Sequence, residues 1–402
     1  MQGRGRGVRA AEGPGRLRTG VTLAGVLLVA AATQVIPTLS LPPVTAATVA
    51  GNLPAISFDA RIQANLERVA AAVTGAEPDQ GSVFQSILDE GRKLLHFDPD
   101  ESRGRGSWAE LVGELNEHTE TVGVLVPGST AFIFDKNFNK YRDRANHMVE
   151  ESDGKLAMVV WAAGDFPSGW LKGAMTRYQA TLGRALAIFS QELRAEIDRE
   201  LGPDHDVQVV VAGHSFGGAV VGGAERYGLQ ADVVLRVASV GMGTVHDPYD
   251  YPDPTRPRYS MTAPGDLIGF VQGVPAPPGL GHGPDPDTFR CVTTLPIGRL
   301  PDDPTALNED GEPIGDRAGD KIVGIHSHSD VFIRHSDAWW QIYRVFRGQA
   351  PPAPDCPPPD GQEPVKARVL PLAVPRVVTD SQCRAGGGLR PGGRHRPPNP
   401  ST

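Results

Sequence analysis

The stretch VQVVVAGHSFGG, Val207 to Gly218, organises this chain. Five apolar residues (Val207, Val209, Val210, Val211 and Ala212) run into Gly213-His214-Ser215-Phe216-Gly217, a G-x-S-x-G. Small residues follow at Gly218, Ala219, Gly222, Gly223 and Ala224. A buried strand that turns sharply into a helix is the context in which this motif exposes a serine hydroxyl above a sheet. Glycines at 213 and 217 leave room for that turn. The alternative is an ordinary buried serine in a glycine-rich turn, and the flanking strand-like and helix-like segments argue against it.

On either side the sequence alternates short apolar runs with longer amphipathic segments. The runs are Thr121 to Val126, Leu156 to Ala162, Val207 to Ala212, Asp232 to Val240 and Arg258 to Ala263. Leu182, Leu186, Phe189, Leu193 and Ile197 form a helical stripe between the second and third. This is the pattern of a mostly parallel sheet flanked by helices, an α/β fold. Right-handed crossovers then bring the C-terminal ends of the parallel strands to one edge, where ligands bind, and Ser215 lies there. From Gly243 to Asp320 the chain is rich in Pro, Gly and Asp with short strand-like pieces such as Phe289 to Thr294, the composition of functional loops.

Upstream, Ile62, Leu66, Val69 and Val73 recur at helical spacing, and Val83, Ile87, Leu94 and Leu95 suggest a second helix. Ser107-x-x-Glu110 before Leu111, Val112 and Leu115 resembles a capping box opening a third. Residues 47–117 are therefore expected to be a helical lead-in, with the catalytic domain over 118–349. Residues 1–46 have the parts of a secretory signal: an arginine-rich start, the apolar segment Val21 to Ala32, and small residues around Val44 to Ala47. An uncleaved anchor is the other reading, in which the N-terminus would hold the protein on a membrane or cell envelope; both put the body outside the cytoplasm. Residues 350–402 are rich in Pro, Gly and Arg and are expected to be a disordered tail.

Between the two basic ends, residues 21–349 hold 27 Lys and Arg against 42 Asp and Glu. That acidity argues against a nucleic-acid partner. Cys291, Cys356 and Cys383 allow at most one internal disulfide, the simplest being Cys356 to Cys383 within the tail. None has a C-x-x-C partner, so neither zinc nor a redox site is supported, and no metal or other cofactor is implied.

A serine hydroxyl needs a histidine to take its proton, and the histidine needs a carboxylate to fix its tautomer. In sheets of this type the chain order is Ser, acid, His. Eight of the eleven histidines fall outside that order or lack strand context, leaving His326, His328 and His335. His328 is favoured by its place after the apolar stretch Ile322 to Ile325 and before the last helix, with His326 next. Asp266, after the strand ending near Ala263 and a Pro-Gly turn, is the favoured acid; Asp247, Asp250 and Asp253 are rivals more simply taken as loop residues. Two oxyanion donors are also needed, worth about 3 kcal/mol each. The Phe216 N–H is one, and Ser129 or Thr130 in Val126-Pro127-Gly128-Ser129-Thr130 supplies the other. Trp161, Phe166, Trp170 and Trp339 are candidates for an acyl pocket, although core is the commoner role of such residues.

Residues 118 to 348 resemble the actinobacterial-type α/β-hydrolases known as a domain of unknown function. The matching pieces are HTETVGVLVPGST, VVWAAGDFP, VVVAGHSFGG, VVLRVASVGMG, MTAPGDLIG, GPDPDTF and SHSDVF followed by WWQIYRVFRG. Val240 departs from a usual proline and Val331 from an expected aromatic. The resemblance implies an α/β-hydrolase fold with Ser215 as nucleophile, Asp266 as acid and His328 as base.

Together these features point to a secreted or envelope-associated serine hydrolase that cleaves a carboxylic or lipid ester. Acyl transfer on the same triad and a catalytically silent binding protein are the alternatives. A metallohydrolase, suggested by His326-Ser327-His328-Ser329-Asp330, is disfavoured because Val331 replaces the next expected ligand and too little chain follows.

Overall fold

Eight strands form one sheet in the computed structural model, which describes residues 57–358. They are β1 (Lys93–Asp98), β2 (Ser107–Val112), β3 (Thr121–Val126), β4 (Leu156–Ala162), β5 (Gln208–His214), β6 (Val233–Val237), β7 (Arg258–Met261) and β8 (Thr293–Thr294). Their spatial order is β1-β2-β4-β3-β5-β6-β7-β8. The β1–β2 and β2–β4 pairs are antiparallel and every other pair is parallel. β3 and β4 are buried at every position, as parallel strands covered on both faces must be. That is why they appear in the sequence as unbroken apolar runs rather than as alternation.

Helices fill the crossovers. Thr176–Leu201 buries its whole predicted stripe, Leu182, Leu186, Phe189, Leu193 and Ile197. It lies against Phe216–Arg226, the helix that follows β5. A Cβ on Gly183 would come within 2.7 Å of the Ala224 backbone nitrogen, so the small residues after the G-x-S-x-G let two helices touch backbone to backbone. β3 pairs with β4 on one side and β5 on the other, so the chain leaves its first parallel pair and returns across β3. Crevices open at such switch points.

The helical lead-in is half right. Phe58–Val73 and Pro78–Asp89 are helices, but Leu94 and Leu95 belong to β1, and Ser107 to Val112 is strand β2 instead of a third helix. Glu110, taken as a capping residue, is buried: its carboxylate receives Arg92 Nε at 3.0 Å and Arg142 Nε at 2.9 Å. A local cap and a long-range ion pair leave the same S-x-x-E signature, and here the ion pair prevails. The sheet therefore begins at residue 93, ahead of the boundary at 118.

The disulfide also differs from the simplest pairing: Cys291 is bonded to Cys356. Residues 350–358 are held on the body, with Tyr259 Oη donating to Pro351 O at 2.6 Å and Arg290 Nη1 to Pro357 O at 2.7 Å. Cys383, the rest of the tail and the leader at 1–46 lie outside the described residues. With 65 residues separating its cysteines, the bridge should stabilise the protein by about 4 kcal/mol on the chain-entropy account. Urea unfolding of Cys291→Ser should show a loss of that order, and wild type in reductant should fall to the variant's midpoint.

Candidate active site

β5 ends at His214, and the next residue, Ser215, has φ 55° and ψ −122°. A non-glycine residue in that conformation is strained and persists where its surroundings hold it. Here the helix packs tightly beneath it. A Cβ on Gly217 would lie 2.2 Å from Val126 O, so only glycine lets the first turn sit on the end of β3. Gly128, in the loop after β3, is so close that a Cβ there would be 3.4 Å from Ser215 Oγ.

Asp266 follows β7 and is buried. Its oxygens lie 2.9 and 3.1 Å from His328 Nδ1, and Oδ1 also accepts the Ile268 N–H at 2.9 Å. A carboxylate only accepts, so the proton of this pair is on His328 Nδ1 and Nε2 is left to act as a base. Ser215, Asp266 and His328 line one cavity of about 710 Å³. No hydrogen bond joins Ser215 to His328 among the described residues, and contacts of this kind commonly tighten only with substrate bound.

The rival groups are placed elsewhere. His326 is exposed, and His335 stacks on Trp340 and meets Glu151 Oε2 at 3.2 Å. Asp247 caps a turn and pairs with Arg290, Asp250 accepts from the His246 and Asp247 amides, and Asp253 accepts from Thr255 and Arg256. In the H-x-H-x-D run, His328 is committed to Asp266 and Asp330 to Arg317.

Of the two donors offered by the loop after β3, Thr130 is removed: its N–H is given to Pro167 O at 3.0 Å. The Ser129 N–H has no backbone acceptor among the described residues. The Phe216 N–H, first in its helix, has no intrahelical acceptor and sits at the positive end of the helix dipole.

Two histidines that the sequence did not single out complete the site. His214 is buried, and its pKa is held well below the usual value by desolvation, then by the nearby His328 and Arg144. Its Nε2 lies 3.1 Å from the His328 carbonyl oxygen, an acceptor only, so the proton is on Nε2. Nδ1 therefore accepts from Tyr141 Oη at 2.6 Å, and Tyr141 Oη in turn accepts the Gly128 N–H at 2.9 Å. A buried chain of hydrogen bonds thus runs from the loop carrying Ser129 to the backbone of His328. Tyr141→Phe would strand the Gly128 N–H and His214 Nδ1, at a combined cost of about 3 kcal/mol. The midpoint of thermal unfolding should fall by about 5 °C or more.

The second is His282, on the cavity wall, where desolvation lowers its pKa to about 4. Gln179 Nε2 donates to its Nδ1 at 3.0 Å, which leaves a neutral ring with an N–H at Nε2. Position in the motif was the one available signal for His214, and none existed for His282. Of the aromatic candidates, Trp161, Phe166 and Trp339 are buried in the core and none lines the cavity; the Trp170 side chain lies outside the described set.

A serine in a strained strand-to-helix turn at the central parallel strand, an acid after a later strand and a histidine before the last helix are now in view. The chain has the α/β-hydrolase fold. Residues 100–275 match the family model described as alpha/beta hydrolase. No curated protein sequence matches the chain. Among solved structures it is similar to LpqC, a poly(3-hydroxybutyrate) depolymerase from Bordetella parapertussis, at 14% identity and a TM-score of 0.36, covering 67% of this chain and 95% of that one. A dienelactone hydrolase-like promiscuous phosphotriesterase from metagenomic libraries matches at 12% identity and a TM-score of 0.33, covering 62% of this chain and 95% of that one. An α/β serine hydrolase without lid from Xanthomonas campestris matches at 15% identity and a TM-score of 0.29, covering 52% of this chain and 84% of that one.

Proposed function

We propose that this α/β-hydrolase cleaves carboxylic esters through an acyl-enzyme, with Ser215 as nucleophile, His328 as base and Asp266 as its carboxylate partner. The observation that carries the reading is a strained Ser215 sharing one cavity with a histidine whose Nδ1 is bonded to a buried aspartate. Ser215 Oγ attacks the ester carbonyl carbon while His328 Nε2 takes its proton. The carbonyl oxygen becomes an oxyanion, received by the Phe216 and Ser129 N–H groups. Collapse of the tetrahedral intermediate breaks the bond to the leaving oxygen, which His328 protonates. Water then repeats the sequence on the acyl-enzyme and releases the acid. Asp266 stays ionised and stabilises the positive imidazolium in both halves.

The motifs from HTETVGVLVPGST to WWQIYRVFRG support placement within the actinobacterial-type branch of these hydrolases. The signal-like leader and the Cys291–Cys356 bridge support a secreted or envelope location, because structural disulfides persist in oxidising compartments. Fluorophosphonate labelling of the purified full-length chain tests the chemistry. Wild type should label, Ser215→Ala should not, and His328→Ala should label far more slowly. Folded wild type that refuses the probe would remove the activated serine.

A further inference from the structure

We propose that the substrate is a water-insoluble apolar ester, taken from the surface of an aggregated lipid phase into which the rim of the cavity dips. The proposal rests on Ser215 being the nucleophile. Eight large hydrophobic side chains are exposed among the described residues, and six of them line this one cavity: Leu267, Phe270, Val271, Val274, Leu280 and Ile325. Phe270 is 78% exposed and Ile325 64%. Val323 is two residues from Ile325, so only Leu307 stands apart in sequence. The uncharged character extends further, since residues 267–284 contain no Asp, Glu, Lys or Arg although 21% of the chain is charged. An apolar collar around a concave site marks an interaction surface rather than random exposure.

The collar is built into the chemistry. Its first turn, Leu267–Phe270, is capped by Asp266, whose side chain accepts the Ile268 N–H as well as facing His328. Ile325 is three residues ahead of His328. The exposed loop is also held in place. Gln272 Nε2 donates to Ser239 O at 2.7 Å and Thr262 Oγ1 at 3.0 Å, and the Gly281 and Thr176 amides tie its far end to Ala174 O and Gly279 O. The apolar groups are therefore presented, not merely loose.

The occupant follows from continuity with the site. A cavity of about 710 Å³ far exceeds an acetyl group and has room for an extended chain along apolar walls that include Val240 and Ala174. A second protein seated on the collar would close the route to Ser215, whereas a lipid surface supplies both the apolar contact and the ester. Without charge on the rim, adsorption should depend little on salt or on anionic headgroups.

The test uses the full-length chain and the double variant Phe270→Ser/Ile325→Ser. Tributyrin turnover by wild type should break upward by about 10-fold or more as the ester passes its solubility limit, and the ratio of emulsified tributyrin to dissolved p-nitrophenyl acetate turnover should fall by about 10-fold in the variant. Flotation of Ser215→Ala with neutral phosphatidylcholine vesicles reads adsorption without chemistry; it should occur at low and high salt and be lost when the double substitution is added. A smooth rise through the solubility limit, an unchanged ratio, or a wild-type dimer that the double variant dissociates would overturn the collar. Absence of fluorophosphonate labelling would instead remove the serine chemistry, and the flotation result would still decide whether the rim adsorbs.

Discussion

Ser215→Ala is expected to lower kcat for a p-nitrophenyl ester by about 10⁵ to 10⁶, with KM nearly unchanged. The size of the loss follows from the site's construction. The Asp266–His328 pair is preassembled, and in the proposed mechanism its work is to move a proton from Ser215 to the leaving group and back. With the hydroxyl gone, that pair has nothing to activate in the first step. What remains is the cavity and the proposed donors at Phe216 and Ser129, and in sites of this type such groups retain about 10³ to 10⁴ over the uncatalysed reaction. KM should hold because the substitution deletes one oxygen and leaves the walls intact. His328→Ala should show a comparable loss, and combining the two should add little, since the residues act as a unit. Steady-state turnover with a dissolved ester, checked against thermal unfolding to show that Ser215→Ala is folded, decides it. Residual activity within about 10-fold of wild type would assign the nucleophile elsewhere.

The second large effect concerns stability. Glu225 lies in the last turn of the Phe216–Arg226 helix, and it is fully buried. Its carboxylate receives Arg236 Nη2 from β6 at 2.6 Å and Arg258 Nε from β7 at 3.0 Å, with Arg256 at 3.6 Å. Both Arg236 and Arg258 are fully buried as well. Glu225→Ala would leave two guanidinium groups without a counter-charge, a loss of about 3 to 5 kcal/mol. For a domain of ordinary stability this is a large share of the total. The cluster ties the helix after Ser215 to the strand that leads into Asp266, so the site should loosen with the fold.

The same cluster gives a pH dependence. Burial alone would raise the Glu225 pKa, but Arg258, Arg236 and Arg256 outweigh it and bring it from 4.5 down to about 2. A carboxylate whose folded value lies below its unfolded value stabilises fully above the unfolded value and loses that contribution as the pH falls toward the folded one. The stabilisation, about 3 kcal/mol, should therefore be complete above about pH 5 and drain away between there and pH 2. Urea midpoints of wild type and Glu225→Gln, measured at pH 7, 4 and 3, should converge as the pH drops. A constant gap would mean that Glu225 is not the titrating group.

Ser215 and Asp266 could be nominated from the sequence by local pattern, whereas His328 was favoured over His326 by position alone. A β-branched run meeting glycines fixes the turn at Ser215, Pro264-Gly265 marks the turn before Asp266, and His328 follows an apolar stretch ahead of a strongly amphipathic last helix. β3 and β4 were legible to the residue, because they are buried and nearly all their side chains are uncharged and apolar. β1 and β2 were not, because the S-x-x-E at Ser107 carries a local meaning that the distant Arg92 and Arg142 overrule.

The amino-acid order by itself determined which segments become strands and helices in the parallel half of the sheet and which residue types stand at its functional edge. These follow from backbone conformation and from the need to bury apolar faces, and both are written within a few residues. Only the tertiary structure decided the bond between Cys291 and Cys356, the use of the Thr130 amide by Pro167, the chain from Gly128 through Tyr141 and His214 to His328, and the apolar collar of the cavity. Each joins segments separated by tens of residues or more. Their meeting depends on strand order, which no local pattern contains.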